Sequence, residues 1–318
     1  MDPKKLFNNR LSTYLQAGIN SLPEESLDEI RRFITKSLHR YGGFYGHGSS
    51  ADLYYTTFGL YCAIALNITA DWEPTRDFLA RYEEGEELDL VHLLCLVRCW
   101  KMLEFVTGGT VKDPFPGPVL EKILEPFLAE EGGFNKGIGR QRGTIFETFL
   151  AVMALDEHGC KLPPQEDVTF IIQEMKTRWG GYANHRGLRI GVTSVTAAVI
   201  TLLHRYGLNS QAQEAGQWIL KQMHEKGGLK VNELSVIPDL TSTATALMAM
   251  DLLGLDYSEE WRQNTLDFIG SLWSGDGGFC GHIVDKRSDL EYTFYALIVL
   301  GILQGNSRQS SLLTPAER

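Results

Sequence analysis

Four stretches of this chain place an aspartate at the head of an apolar run, and three share the pattern Asp-Leu-x-x-Thr: DLYYT (52–56), DLTST (239–243) and DLEYT (289–293). Aligning the apolar runs puts Asp52, Asp89, Thr144, Gly191, Asp239 and Asp289 at one equivalent position. Three residues further on stand Tyr55, His92, Glu147, Ser194, Ser242 and Tyr292. Residues three apart share a helix face, so helices gathered around an axis would turn these positions into a polar ring. A carboxyl group in such a ring can act as acid or base, or hold Mg²⁺, once burial and hydrogen bonding set its pKa. Asp239, Asp289 and Glu147 are the candidates for that work, with Asp239 also the candidate Mg²⁺ ligand. A plainer reading competes. Asp is a favoured helix N-cap and suits the positive helix end, and recurrence favours capping because a catalytic residue need occur only once.

The elements that would position these residues follow from a repeat. Gly-Gly-aromatic or Gly-Gly-Leu occurs at 42–44, 132–134, 180–182, 227–229 and 277–279. The first interval is about twice the others, and EEGEELDLVHLLCLVRCW sits where a degenerate copy is required. Six copies at about 45–50 residues signify an array or a closed toroid. Before the glycines come amphipathic runs such as SLDEIRRFITKSLHRY, and after a polar loop come nearly uncharged runs such as STATALMAMDLL. A helix apolar all round is buried, whereas one with a polar face lies outside. The expected fold is therefore all-α, a closed (α/α)6 barrel over residues 25–303, with the apolar helices as its inner ring. Residues 1–24 read as a helical extension and 304–318 as a flexible tail. The glycines are expected to end the outer helices in the left-handed C-cap conformation, and no segment demands a sheet.

Bulk properties narrow the function. The chain has 318 residues, is 43% hydrophobic, and carries a net charge of −10, which argues against a nucleic-acid partner. No stretch approaches the length and apolarity of a membrane span or a secretory leader. Cys62, Cys95, Cys99, Cys160 and Cys280 form an odd, scattered set, which favours reduced thiols in the cytoplasm.

These glycine-punctuated repeats resemble the prenyltransferase and terpene-cyclase superfamily, which contains protein prenyltransferase β subunits and the squalene-hopene and oxidosqualene cyclases. WSGDGGF (273–279) is similar to the cyclases' Gln…Trp signature, with Trp273 and Phe279 in place of Gln and Trp. The transferases hold zinc through Asp-x-Cys and a His in Asp-x-Tyr-His-Thr. Here DLT (239–241) has Thr241 for the Cys, and DLEYT has Tyr292 for the His. Zinc needs three or four good N, S or O ligands, so a zinc cofactor is not expected. The cyclases' acidic motif, Asp-x-Asp-Asp-Thr-Ala, reads DLTSTA (239–244) and keeps its first Asp alone among the acids. Protonating an alkene or epoxide requires a carboxylic acid held neutral, a role that falls to Asp239 or Glu147.

The resemblance implies an isoprenoid (diphosphate) in the barrel, undergoing prenyl transfer or cyclisation. Loop cations would hold its head: Arg140 and Arg142, Arg186 and Arg189, and Lys286 and Arg287, in a stretch similar to the transferases' DKPGKSRD. His47, Tyr55, Phe146, Thr241, Tyr292 and Tyr295 complete the substrate-binding candidates. Tyr54, Phe58, Tyr61, Phe149 and Phe294 add aromatic faces able to stabilise a carbocation, although aromatics at helical spacing also build ordinary cores. Two alternatives stand beside the enzyme. One is a module that binds an isoprenoid, lipid or peptide without turnover. The other is a β-type subunit requiring a helical partner, or a homo-oligomer.

Overall fold

A computed structural model describes residues 9–312. Helix α1 (Asn9–Asn20) precedes six pairs: α2 (Glu24–Ser37) with α3 (Leu53–Ala65), α4 (Glu73–Ala80) with α5 (Leu90–Val106), and α6 (Gly117–Leu124) with α7 (Ile145–Glu157). Then come α8 (Gln165–Glu174) with α9 (Thr193–Arg205), α10 (Asn209–Leu220) with α11 (Leu240–Leu253), and α12 (Glu259–Ser271) with α13 (Leu290–Leu312). Each odd-numbered helix from α3 packs on the next, and α13 packs back on α3, so the apolar helices form a closed inner ring with the amphipathic ones outside. The expected toroid is the observed fold. Helix α1 crosses α13 where Gly18 and Gly301 bring the two backbones together: a Cβ on either would lie 2.0 Å or less from a carbonyl oxygen of the other helix.

The glycines work differently from the expectation. The helix before Gly42 ends at Ser37 with an extended cap residue, Leu38. Residues 39–43 then form a tight turn closed by His39 N–H to Gly43 O (2.8 Å) and Gly42 N–H to His39 O (2.9 Å). The same pair of bonds closes the turns ending at Gly133, Gly181, Gly228 and Gly278. At Gly42 φ is +89°, and a Cβ there would lie 1.8 Å from the carbonyl oxygen of Pro74 in the next outer helix. The double glycine is thus a turn pressed against the neighbouring repeat, and a side chain has neither the conformation nor the room. At the last repeat, Gly277 meets Glu29 of α2, which closes the ring.

Small hairpins, absent from the sequence-based expectation, join each turn to its inner helix. Strand β1 (Phe44–Tyr45) pairs with β2 (Ala51–Asp52), β3 (Leu229–Lys230) with β4 (Pro238–Asp239), and β5 (Phe279–His282) with β6 (Asp285–Asp289), all antiparallel. Strands this short carry no alternating pattern; side-chain pegs hold them. The N–H groups of Phe44, Phe134, Tyr182, Leu229 and Phe279 donate to Oγ1 of Thr56, Thr148, Thr196, Thr243 and Thr293 at 2.9–3.2 Å. The Thr of Asp-Leu-x-x-Thr is therefore a structural peg.

In the fourth repeat, Val192 N–H donates to Tyr182 O as Thr144 N–H does to Phe134 O. The equivalent of the aspartates there is Val192, one residue beyond Gly191, so the partner position three on is Val195 and not Ser194. Helix α13 continues past 303 to Leu312, because extending an established helix adds one hydrogen bond per residue fixed. Residues 1–8 and 313–318 of the expected extension and tail lie outside the described residues.

Candidate functional site

The hairpins gather at one mouth of the barrel, where all inner helices begin. Each reaches sideways onto the start of the preceding inner helix. Lys136 places its carbonyl on Leu90 N–H (3.0 Å) and its ammonium on Asp89 (3.2 Å). Asn184 accepts from Phe146 N–H (2.7 Å) and donates to Glu147 (3.3 Å). Across the closing seam, His47 reaches Asp289: Nε2 lies 3.0 Å from Oδ2.

The aspartates are caps, as the plainer reading holds. Oδ1 of Asp52, Asp89, Asp239 and Asp289 accepts from the N–H three residues on, at 2.8–3.0 Å. Asp289 is more than a cap. Its side chain is buried, and Oδ2 takes both His47 Nε2 and the Tyr55 hydroxyl, the latter at 3.4 Å. Burial raises its pKa, opposed by the Tyr292 N–H, the charge of His47 and the Tyr55 hydroxyl. The ring of His47 stands edge-on to Tyr55, with centroids 5.6 Å apart. Gly46 permits this, since a Cβ there would lie 2.1 Å from the Tyr55 ring.

The last repeat repeats the device. Gly281 gives way to the ring of Tyr292, 2.4 Å from its would-be Cβ, and precedes His282 as Gly46 precedes His47. GGFYGH (42–47) and GGFCGH (277–282) are the sequence trace of this duplication. The charge of His282 acts on Asp239, and that of Asp239 on Tyr292. Burial raises the pKa of Asp239, and its Oδ2 is buried with no partner. Burial also pushes the Tyr292 hydroxyl up to about 12.

Below the mouth, one stripe along α5, α7 and α11 stays half-buried while the other faces are covered. On α11 it is Thr241, Thr245, Met248 and Leu252; on α5, His92, Cys95 and Arg98. Residues three and four apart share a face, and neighbouring helices cover the rest, so these stripes line the barrel axis. Between α3 and α13 the lining is aromatic. Tyr54 packs on Phe58 (5.0 Å), Phe58 on Phe294 (5.3 Å) and Tyr295 (5.9 Å), and Tyr61 on Phe294 (5.2 Å).

Glu291 lies in this aromatic sector. Burial raises its pKa from 4.5 to about 7, aided by the charge of Asp289 and opposed by a hydrogen bond with Tyr54. Such a carboxyl holds its proton near neutral pH, as a general acid must. Deeper, Arg98 pairs with Glu157 at 3.6 Å, and its Nε is buried without a partner. Sequence reasoning missed Glu291, Tyr54 as its partner, and Arg98. An unexplained acid at the head of the otherwise uncharged run 290–303 was the available signal for Glu291.

The other candidates divide. Glu147 is buried and occupied by the Thr144 hydroxyl and Asn184, which ties α7 to the next hairpin. Tyr295 belongs to the inner wall, Thr241 is half-buried on it, and Phe146 lies exposed at the mouth. The cations do not converge on one point. Arg142 pairs with Glu131 (2.8 Å), Arg186 with Glu174 (3.0 Å) and Arg287 with Asp285 (3.0 Å), while Arg140, Arg189 and Lys286 are exposed on separate loops. The partnering carboxylates come from the same hairpin (Asp285), the turn before it (Glu131) or the adjoining outer helix (Glu174). Among the described residues, no three His, Cys, Asp or Glu side chains gather into a metal-binding set. The donors at the zinc position of the resembled transferases are one carboxylate, a hydroxyl and a phenol, which do not suit that ion.

The prenyltransferase alpha-alpha toroid domain model matches residues 11–112 and 165–314. No curated protein matches the sequence. Among solved structures, the chain is similar to a Candida albicans protein geranylgeranyltransferase-I complexed with GGPP, at 13% identity, 87% of this chain, 90% of that one and a TM-score of 0.66. It is also similar to a variant of the type II terpene cyclase MstE from Scytonema bound to geranylgeranyl dihydroxybenzoate, at 11% identity, coverages of 95% and 99%, and a TM-score of 0.58. An unsaturated glucuronyl hydrolase specific for heparin aligns nearly as well, at 9% identity, coverages of 95% and 99%, and a TM-score of 0.57. Likeness this distant speaks for the fold alone, as that third structure makes plain.

Proposed function

Since the chain belongs to the prenyltransferase alpha-alpha toroid family, we propose that it is an isoprenoid-processing enzyme whose substrate chain lies in the barrel against the aromatic sector of α3 and α13. The observation that carries this reading is the placement of Glu291, a carboxyl whose pKa burial raises to about 7, in the same sector as Tyr54, Phe58 and Tyr295. A proton donor among aromatic faces is what carbocation chemistry on an isoprenoid requires: the acid starts the cation and the π-faces stabilise it. Glu291 takes the acid role given on sequence grounds to Asp239 or Glu147. Asp289, held by His47, Tyr55 and its own cap bond, maintains the negative field that favours a protonated Glu291. An anionic head, where the substrate has one, would stay at the mouth near Arg140 and Arg189. The reading needs no zinc.

The test is incubation with farnesyl and geranylgeranyl diphosphates and with squalene, followed by product mass spectrometry, for the wild type, Glu291→Gln and Asp239→Asn. Conversion lost in Glu291→Gln, with calorimetric affinity retained and Asp239→Asn still active, supports this assignment. Binding without conversion in the wild type makes the chain a binding module, and absence of binding removes the isoprenoid reading.

A further inference from the structure

The mouth carries a second feature, on its outer surface. Ile138, Leu188, Leu234, Val236, Ile283 and Val284 are 65%, 54%, 63%, 82%, 43% and 73% exposed. They lie on four consecutive hairpin loops, 135–143, 183–191, 230–238 and 280–288. Loops 45–51 and 83–88 carry no exposed large hydrophobic side chain, and the second is acidic, reading EEGEEL. Exposed apolar residues collected in this way mark an interaction surface. The same four loops contain eight Lys and Arg residues against two carboxylates, Glu233 and Asp285, in a chain whose net charge is −10; Lys136, Arg142, Arg186 and Arg287 are paired with carboxylates, and Arg140, Arg189, Lys230 and Lys286 are the other four. The rim is therefore polarised: three of these sectors are aliphatic and basic, 230–238 is aliphatic with Lys230 balanced by Glu233, and the rest are polar or acidic.

We propose that this rim docks on an anionic phospholipid bilayer, with the aliphatic tips among the headgroups and the cations on lipid phosphates. The composition argues for lipid over protein. Protein interfaces are enriched in aromatics at their core and depleted in Lys, whereas these tips are aliphatic, one to three to a loop, with an Arg or Lys within two residues on three of the four loops. That combination suits an interface where apolar tips bury shallowly and basic residues meet a negative surface potential. Trp179, 60% exposed at the turn before the second of these loops, lies on the same side and reports on contact. Among the described residues no helix is long and apolar enough to cross a membrane, so the association is peripheral. It is independent of what the barrel holds.

Flotation of the full chain with phosphatidylcholine vesicles, with and without phosphatidylglycerol, tests this in the absence of any isoprenoid. The chain is expected to float with the anionic vesicles, more weakly as salt rises, and Trp emission is expected to move to shorter wavelength. Leu188→Asp combined with Val236→Asp should reduce binding at least about tenfold, and Lys286→Ala by roughly fivefold. All three positions are on exposed loops, and circular dichroism confirms that the variants fold. Equal binding to neutral vesicles, binding unaffected by the double aspartate variant, or no binding to either vesicle overturns the proposal.

Discussion

His47 Nε2 and Asp289 Oδ2 lie 3.0 Å apart, and they come from the first and last repeats of the ring. The bond joins the seam of the barrel at its mouth and meets a carboxylate that burial would otherwise leave poorly compensated. Replacing His47 by Ala leaves Oδ2 with the longer Tyr55 bond alone. The expected loss is about 1–2 kcal/mol at neutral pH. The charge of His47 lowers the Asp289 pKa, so the variant's carboxyl titrates higher than the wild type's. The difference between the two proteins should vanish in acid, where Asp289 is protonated in both. Denaturant unfolding at neutral and acid pH measures it, and an equal loss at both would show that the pair has no electrostatic role.

Glu291 gives a prediction with a defined pH window. Its pKa rises from 4.5 unfolded to about 7 folded, so between those values the native state holds a proton that the unfolded chain has lost. Stability therefore falls with rising pH across this window, by about 1.4 kcal/mol per unit from this group. The total is about 3 kcal/mol once pH exceeds the folded pKa. Glu291→Gln should flatten that slope and be the more stable protein in mild alkali. Thermal melts across the window, compared between the two proteins, read it directly.

Thr293 holds the last hairpin through its Oγ1, which accepts from Phe279 N–H at 3.2 Å. Thr293→Val preserves shape but strands a buried N–H, at a cost of about 1–3 kcal/mol. Thr293→Ser retains the acceptor and should lose less. Unfolding midpoints rank the three, and equality of Val and Ser would remove the peg as an explanation.

Gly277 and Gly275 are neighbours with opposite expected responses. At Gly277 φ is +94° and a Cβ would lie 2.5 Å from Glu29 O, whereas nothing lies within 4 Å of one at Gly275. Gly277→Ala should cost roughly 1–3 kcal/mol from backbone strain alone, with steric overlap in addition. Gly275→Ala should stay within about 0.5 kcal/mol of wild type. Calorimetric melting of both separates the two cases.

The fold was legible because its signal is repeated. Five double glycines and the contrast between SLDEIRRFITKSLHRY and STATALMAMDLL each point to the same two-helix unit. The site was legible only where it follows from position in that unit, as with the caps Asp52, Asp89, Asp239 and Asp289. Its chemistry arises between repeats. Glu291 matters because Tyr54, distant in the chain, is brought beside it by closure of α13 on α3. Arg142 and Arg186 looked available because Glu131 and Glu174 read as ordinary exposed residues of a turn and an outer helix, and their pairings appear only in three dimensions. The slip at Gly191 has the same origin: without an aspartate to mark the helix start, only the bond from Val192 N–H to Tyr182 O fixes the register.

Closure of the last turn on the first outer helix, Gly277 against Glu29, also governs how such a chain can change. An open array can gain or lose a unit at either end, because each unit contacts only its neighbours. Here removing one unit would strand two mismatched faces, and adding one would open the seam that His47 and Asp289 bridge. Change in the barrel's lining is therefore expected to come from exchanging residues along the six inner helices and not from altering their number.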